Sequence, residues 1–565
     1  MKIVIVGGVA GGATAAARLR RLDEHAEIIV FEKSGFVSYA NCGLPYYIGG
    51  VIKEKDALTL QTPENFKLRF NVDVRVKHEV IQIKKDEKTV SVKNLETGEV
   101  FDENYDKLVL STGAKPTLPM VGIENLDEVF TLRTVEDTFK IHAHINEHNP
   151  QSVVLAGGGF ISVELAENLC SLGLDVTVVQ SQPHLMAPLD SEMAAFIHAK
   201  MRSKGIKLLL GKRVNSIRKD ENGLAVIIAD EQELKADMVV LAIGVTPDTK
   251  LAKEAGLTLG IKDSIVTNEK MQSSDADIYA VGDAVQVKHF VTGENALISL
   301  AGPANKQGRI AADNICGLDS TFKGSQGSSV LKIFDLTMAT TGINERTTKE
   351  LKLDYDKIYL SPANHAGYYP GGTLMSMKVI FEKTTYKLLG AQIVGCDGVD
   401  KRIDVLATAM HMGMSALQLK DLDLSYAPPY SSAKDPVNMA GFMIENISNG
   451  TVKQFFLEDV ENLPRDGSVT LLDTRTKGEY AHGHFDGFIN IAVDSLRENL
   501  HELDKSKPIY VCCQSGLRSY IACRILAQNG FDAYNFAGGY RLYATVIKDK
   551  LANQQGYSCG MEKQG

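Results

Sequence analysis

The 565-residue chain lacks any apolar run of the roughly 18 residues that a membrane-spanning helix requires. It also lacks an excess of positive charge. Its 61 lysines and arginines face 70 aspartates and glutamates, for a net charge of -9 and a pI of about 5.9. A general affinity for nucleic acid or an anionic membrane is thereby excluded, and any anionic substrate has to be held by a local basic cluster. Cysteine is sparse: Cys42, Cys170, Cys316, Cys396, Cys512, Cys513, Cys523 and Cys559. They form no zinc-binding spacing, so no metal is expected, and the adjacent pair Cys512–Cys513 is not an ordinary disulfide. So long a chain without a disulfide framework points to a reducing compartment, the cytoplasm. The small apolar residues up to Ala17 are interrupted by Gly7, Gly8, Gly11 and Gly12, where a secretory leader would be continuous.

Hydrophobic residues make up 44% of the chain and charged residues 23%, as in ordinary globular proteins, and the length calls for three or four domains. One pattern occurs twice. The first copy reads as a strand at 2–6, a glycine turn at 7–12, a helix at 13–22 and a strand at 27–31 ending on Glu32, a doubly wound βαβ unit. The second reads as a strand at 153–156, a turn at 157–159, a helix at 160–172 and a strand at 175–179. Two such units imply two bound nucleotides, for which flavin plus nicotinamide is the usual pair. From about Gly327, strands at 330–334, 375–381 and 388–394 with a helix at 401–412 read as an α+β domain. An Asn/Ser/Gly stretch at 446–450 reads as a linker. Short strands at 470–472, 489–491 and 509–511 with a helix at 519–528 then form a small α/β domain. The tail after Leu551 is polar and expected to be mobile.

In the first turn, Gly7-Gly8-Val9-Ala10-Gly11-Gly12, Gly7 suits the tight turn and Gly12 the close packing of helix on strand. Val9 stands where a second glycine would let backbone approach a pyrophosphate, so its Cβ is expected to displace the phosphate or to be met by a shifted turn. The pyrophosphate would sit on the helix N-terminus. Glu32, 20 residues after Gly12, suits the ribose hydroxyls, and Lys33 adjoins it. Residues 105–114, with Thr112 and Gly113, resemble the strand and turn that return to FAD in two-dinucleotide flavoproteins. Residues 277–284 resemble their second FAD motif, with Gly282 and with Asp283 on the ribityl chain; Ala301 joins this set. The second turn keeps Gly157 and Gly159 and has Ser162 as the small third residue. Glu164 matches a glutamate common in nicotinamide domains of this class, and Gly244 is a further contact. The strand ends at Gln180, where NAD-selective domains carry a carboxylate, and no arginine follows closely to clamp a 2′-phosphate. NADH is therefore expected, with NADPH tolerated.

Cys42 lies in Ser38-Tyr39-Ala40-Asn41-Cys42-Gly43-Leu44-Pro45. A thiol acts as a nucleophile only as thiolate, and its pKa falls near positive charge or a helix N-terminus; Pro45-Tyr46-Tyr47 is compatible with a helix start. No second cysteine lies within five residues, which excludes the CxxxxC disulfide. Cys42 must instead form a mixed disulfide, a persulfide or a sulfenic acid. A buried inert cysteine is the bland alternative, and the flanks Ser38, Asn41 and Pro45 speak against it.

At this point the chain resembles the single-cysteine pyridine nucleotide-disulfide reductases, specifically coenzyme A-disulfide reductases. The resemblance rests on the first glycine turn, on Ser38 to Tyr47, and on Ala304-Asn305-Lys306-Gln307-Gly308-Arg309. It rests further on Asn364 to Pro370, on Gly398 to Asp404, and on Tyr426-Ala427-Pro428-Pro429-Tyr430 through Lys434-Asp435-Pro436, and it spans residues 1 to about 446. It implies that Thr14, Arg18, Arg21, Ser38, Asn41, Lys306 and Lys434 contact coenzyme A. Arg18 and Arg21, three apart on one helix face, would supply cations for its phosphates. It also implies a homodimer in which Tyr368 and Tyr426 reach Cys42 of the other subunit and protonate or stabilise a departing thiolate.

Leu472-Asp473-Thr474-Arg475, Glu479 to Asn490, Cys513 to Ser519 and Ala537-Gly538-Gly539-Tyr540 resemble a rhodanese domain. A cysteine directly after a strand, with a glycine and a helix start behind it, would ring its sulfur with backbone N–H groups and favour a thiolate or persulfide. Arg518 would add charge, and Cys512 would point into the core.

The expected architecture is α/β, with two Rossmann-like domains (FAD at 1–150 and 265–325, NAD(P) at 151–264), an α+β dimerisation domain at 326–446, a linker at 447–453 and an α/β rhodanese domain at 454–555. The expected activity is NAD(P)H-dependent, FAD-mediated reduction of coenzyme A persulfide, polysulfide or disulfide at Cys42, releasing hydrosulfide or thiol, with a coenzyme A mixed disulfide on Cys42 as intermediate. Cys513 would accept or present sulfane sulfur. Three rivals stand beside it: an NADH oxidase or peroxidase cycling Cys42 through sulfenic acid, a sulfurtransferase with an accessory flavin half, and a non-enzymatic persulfide sensor.

Overall fold

A computed structural model of the chain describes residues 1–118, 123–221, 223–229 and 232–554. The helices that carry the argument are, in chain order, α1 Ala10–Leu22, α2 Leu44–Ile48, α3 Phe160–Ser171, α4 Ser191–Ser203, α5 Ala301–Ile315, α6 Val399–His411, α7 Pro436–Ser448, α8 Leu517–Gln528 and α9 Gly539–Gln554. The chain divides into two compact units. One comprises the described residues of 1–182 and 205–327, the other residues 183–204 and the described residues from 328 onward. No helix among the described residues is long and apolar enough to cross a membrane.

The first unit contains two five-stranded parallel sheets. In one, Lys2–Val6 lies between Lys107–Leu110 and Glu27–Glu32, with Ile278–Ala280 and Asp73–Val76 at the edges. Its central strands are continuous apolar runs, Ile3 to Ile5 and Ile28 to Phe31, because both faces are covered, with Ala15, Ala16 and Leu19 of α1 and Val80, Val90 and Val92 of a three-stranded antiparallel sheet in the same core. Gly7 has φ +95, and a Cβ there would lie 2.3 Å from the Ser111 carbonyl oxygen; a Cβ on Gly12 would lie 1.9 Å from that of Gly7. Only glycine permits this turn and this approach of α1 to its strand. Helix α5 lies against α1 as closely: a Cβ on Gly308 would meet the Gly11 carbonyl oxygen at 2.3 Å. The second sheet orders Val129–Thr131, Met238–Leu241, Ser152–Ala156, Asp175–Gln180 and Lys207–Leu210. Ser162 there does more than stay small: its buried hydroxyl donates to the Gly157 carbonyl at 2.7 Å and ties α3 to the turn.

In the second unit, a five-stranded antiparallel sheet orders Ser329–Ile333, Leu336–Gly342, Leu388–Gly395, Ser376–Glu382 and Tyr355–Leu360. A five-stranded parallel sheet follows, ordered Lys453–Phe455, Ala533–Phe536, Ile509–Cys512, Thr470–Asp473 and Ile489–Asn490. Strands 336–342, 355–360, 453–455 and 533–536 were not expected from sequence, where threonine, lysine and tyrosine break up the apolar pattern.

Two stretches sit differently in the compact units than in the expected domains. The linker expected at 447–453 is a turn, since α7 continues through Ser448 and a strand begins at Lys453. Residues 183–204, expected within the NAD(P) domain, belong to the second unit. The reason is the buried face of α4, where Met193, Ala194, Ile197 and His198 are fully enclosed. His198 accepts the Leu185 N–H at Nε2 (3.0 Å), so its Nδ1 carries the proton and donates to Asp549 of α9 at 2.9 Å; Arg202 pairs with the same carboxylate. The chain remains helical to Gln554, and the rest of the predicted tail, with Cys559, lies outside the described residues.

At the start of α4 a buried charge cluster forms. The Nζ of Lys378, which has no solvent exposure, lies 2.7 Å from Asp190, 2.6 Å from Glu192 and 2.7 Å from Glu345. These three carboxylates have the spacing of a metal site, but an ammonium sits among them. Lys357 bridges Glu345 at 2.8 Å to Glu458 at 2.6 Å.

Candidate active sites

In the first unit a cavity of about 520 Å³ is lined by Gly7, Val9, Glu32, Thr112, Gly113 and Arg133, among others. Lys33 and Asn41 also line it. Val9 is the N-cap of α1 and borders the cavity, so the missing second glycine leaves the turn in register. Glu32 accepts the Gly8 N–H at 2.8 Å on one oxygen and the Ser34 N–H at 2.9 Å on the other. Burial pushes its carboxyl above the usual range, against these two bonds. Each oxygen keeps acceptor capacity for a ribose hydroxyl. Ala10 opens α1, and a Cβ on Gly11 would press on Val281 at 2.8 Å. Lys33 pairs with Asp248 at 3.3 Å, and the Thr112 hydroxyl donates to the Asp248 carbonyl at 2.5 Å. Asp283 does not line the cavity directly; it holds Arg133 at 2.8 Å. Gly282, at φ +82, donates its N–H to Gln307 at 2.7 Å, and Ala301 opens α5 as an exposed residue. A glycine turn at the start of a helix, a buried acid and a cation around one cavity fit a dinucleotide.

At the second turn, Gly157 (φ +115) and Gly244 (φ +126) adopt left-handed backbone, and the space a Cβ would take at Gly159 and Gly244 is open. Glu164 on α3 accepts a hydrogen bond from the Tyr46 hydroxyl at 3.3 Å. Burial pushes its carboxyl up to about 7. Glu164 therefore faces the segment that carries Cys42.

Cys42 sits in a single helical turn, Asn41–Gly43, ahead of α2. Its surface reaches solvent, but the expected lowering of its pKa is not found. Partial burial pushes the thiol up, Glu164 and Asp283 add to this, and Arg133 opposes it. The expected coenzyme A contacts divide. Thr14 donates to Asn305 at 2.7 Å, and Arg18 is paired with Asp313 at 2.7 Å across α1 and α5. Arg18 is thus half-buried and engaged, whereas Arg21 on the same helix is exposed. Ser38, at φ +47, occupies the left-handed region, fixed by its N–H to the Gly8 carbonyl at 2.8 Å. Lys306 and, in the second unit, Lys434 are exposed.

In the second unit the Tyr368 and Tyr426 hydroxyls lie 2.6 Å apart, with the two residues 75% and 46% exposed. The bond to Tyr426 pushes the Tyr368 phenol up. Arg402, almost fully buried, holds both loops: it donates to the carbonyls of Asn364 (3.0 Å) and Tyr430 (3.2 Å) and to Asp435 (3.0 Å).

Cys513 follows its strand directly and is fully buried, as is Cys512 beside it. Of the expected ring of N–H groups, that of Gly516 meets the sulfur at 3.1 Å, and the Ser519 hydroxyl lies at 3.2 Å. Arg518 contributes no free charge, because Glu479 binds it through two bonds of 2.7 Å. An open groove of about 540 Å³ runs past Arg475, Glu479, His482, Gln514 and Tyr540.

Residues 1–308 match the pyridine nucleotide-disulphide oxidoreductase family, 328–436 its dimerisation domain and 456–545 the rhodanese-like domain. The chain belongs to the pyridine nucleotide-disulphide oxidoreductases. The fold is the expected α/β arrangement with a dimerisation domain and a rhodanese-like domain. Coenzyme A disulfide reductase of Staphylococcus haemolyticus is 36% identical over 447 residues, 79% of this chain and 100% of that protein. The crystal structure of reduced CoADR-RHD of Bacillus anthracis shares 48% identity at a TM-score of 0.94, covering 97% of this chain and 98% of that one. A NAD-dependent persulfide reductase from A. fulgidus shares 38% identity at a TM-score of 0.90, covering 96% and 100%.

FAD and a nicotinamide dinucleotide are the cofactors of this oxidoreductase family. Sequence reasoning missed Arg133, Tyr39 and Asp248 at the flavin cavity, Arg402 behind the tyrosines, and Arg475, Gln514 and Ser519 around Cys513. Arg133 had a usable signal, a lone cation just ahead of the capping box Thr134–Asp137. Asp248 carries no local motif, and Arg402, although inside Gly398 to Asp404, gains its role only where the fold brings the loops at 364 and 430 onto it.

Proposed function

We propose that this chain is an NAD(P)H-dependent reductase of coenzyme A persulfides, polysulfides and disulfides, working in a reducing cytoplasm and fused to a sulfurtransferase. The observation that carries the reading is Cys42, a free thiol with a solvent-facing surface. It stands next to Asn41 of the flavin cavity and within electrostatic reach of Arg133 and Asp283. The relatives named for coenzyme A disulfide and persulfide reduction support it and do not favour the oxidase rival.

Gly7, Val9, Glu32 and Thr112 would hold FAD, with Asp283 acting through Arg133, and the bound group would supply the electron pair taken from the reduced nicotinamide. Cys42 thiolate attacks the inner sulfur of a coenzyme A persulfide. The sulfur–sulfur bond breaks, hydrosulfide leaves, and coenzyme A remains as a mixed disulfide on Cys42. Two electrons then return Cys42 and coenzyme A as thiolates. A coenzyme A disulfide reacts in the same way and loses a thiolate first. Arg21 and Lys306 meet the phosphates, Thr14, Ser38 and Asn41 the polar chain, and Arg18 combines its Asp313 pair with a phosphate contact. Tyr368 and Tyr426 are given to the partner subunit's Cys42; their shared bond lets one hydroxyl donate to a leaving thiolate while the other holds it in place. Gly157, Gly159, Glu164 and Gly244 receive the nicotinamide dinucleotide, and Cys513 receives sulfane sulfur. The test is Cys42→Ser: NADH-dependent sulfide release from coenzyme A persulfide is expected to vanish while bound flavin is retained, and full activity in that variant refutes the reading.

A further inference from the structure

Both arginines at the Cys513 loop are neutralised by carboxylates. Glu479 holds Arg518 through two 2.7 Å bonds, and its own oxygen is pinned by the N–H (3.0 Å) and hydroxyl (2.9 Å) of Thr476. Arg518, with help from Thr476, keeps the Glu479 carboxyl at about 2, so the pair persists at any physiological pH. Arg475 is bound by the fully buried Asp473 at 2.6–3.0 Å, donates to the Gly483 carbonyl at 2.7 Å and stacks on Tyr540 at 4.0 Å. Arg475 is the one cation among the described residues lining the groove.

We infer that this groove accepts the persulfide of an organic thiol and rejects thiosulfate, and that Glu479 is the residue that discriminates. The inference rests on reading Cys513 as a sulfur-accepting thiol. Thiosulfate is a dianion. To reach a fully buried sulfur it must shed water, which is costly unless cations meet it, and here the cations are already spent. A persulfide brings a terminal sulfur with one charge at most and leaves its organic part in the open groove. Cys513 thiolate attacks that terminal sulfur, the R–S–SH bond breaks, R–S⁻ departs, and the sulfur with its proton becomes the Cys513 persulfide. Specificity thus comes from a withheld partner rather than an added one.

The test uses the full-length, flavin-loaded protein mixed with thiosulfate or with coenzyme A persulfide. Peptide mass mapping follows sulfur on Cys513, separately from Cys42. Loading from thiosulfate is expected to be about 100-fold slower per molar donor than from the persulfide. Glu479→Gln and Glu479→Ala, which release Arg518, are expected to raise the thiosulfate-to-persulfide ratio about 10-fold or more. Equal rates in the unaltered protein overturn the inference, as does an unchanged ratio in both variants. If a variant does not fold, the ratio in the unaltered protein decides. If neither donor loads Cys513, the sulfurtransferase reading fails and the inference falls with it.

Discussion

Replacing Lys378 by methionine should be the most damaging single change in the second unit. The ammonium is fully buried and 2.6–2.7 Å from each of three carboxylates. At an effective dielectric near 20, each contact is worth about 6 kcal/mol of gross attraction. Desolvation of four ions and repulsion among the carboxylates offset most of that. What the substitution measures is different: it leaves Asp190, Glu192 and Glu345 charged, buried and facing one another. Breaking a buried ion cluster in this way costs about 3–5 kcal/mol, or about 6–20 °C in the melting transition of that unit. Differential scanning calorimetry reads it directly. In the intact protein, Lys378, Lys349 and Lys357 hold the Glu345 carboxyl well below its ordinary range, against the burial that would raise it. That stabilisation is present above the unfolded carboxyl pKa and is lost as pH falls through the depressed folded value. In K378M, burial and mutual repulsion act without the Lys378 ammonium, so the deficit relative to the parent should be larger at pH 8 than at pH 5. The carboxylate oxygens lie within 4.8 Å of one another, and K378A, which also clears space, should recover stability with added calcium. A melting change under 2 °C, or one independent of pH, would refute the electrostatic account.

Glu164→Gln removes a negative charge that disfavours the Cys42 thiolate, so the thiol pKa should fall and alkylation by iodoacetamide at neutral pH should quicken; a slower reaction would contradict the assigned cause. Above pH 7, where Glu164 itself is ionised, the gap between variant and parent should widen. Gly12→Ala places a Cβ 1.9 Å from the Gly7 carbonyl oxygen, and the protein should purify with little bound flavin, as absorbance will report. Retention of full flavin would mean that the turn relaxes.

Both Rossmann-like turns were legible because glycine is demanded by geometry: Gly7, Gly12 and Gly157 abut backbone oxygens. Cys42 and Cys513 were legible because each sits at a sharp change from strand to helix. The thiol environment of Cys42 was not, since Glu164, Arg133 and Asp283 come from three distant segments and their balance decides the sign. Arg18 and Arg518 looked like free cations in the sequence; their partners Asp313 and Glu479 are far along the chain. The strand Tyr355–Leu360 escaped notice because Asp356 and Lys357, the latter buried through ion pairs, interrupt its apolar pattern.

The pairing of His198 with Asp549 bears on what the terminal helix does for a distant segment. The two residues are 351 positions apart in the chain. A chain cut after residue 545, where the family match ends, would lose Asp549 with the end of α9, and the α4 face they cover would open to water. The terminal helix thus governs the titration of His198, because uncovering α4 removes the burial that disfavours the imidazolium.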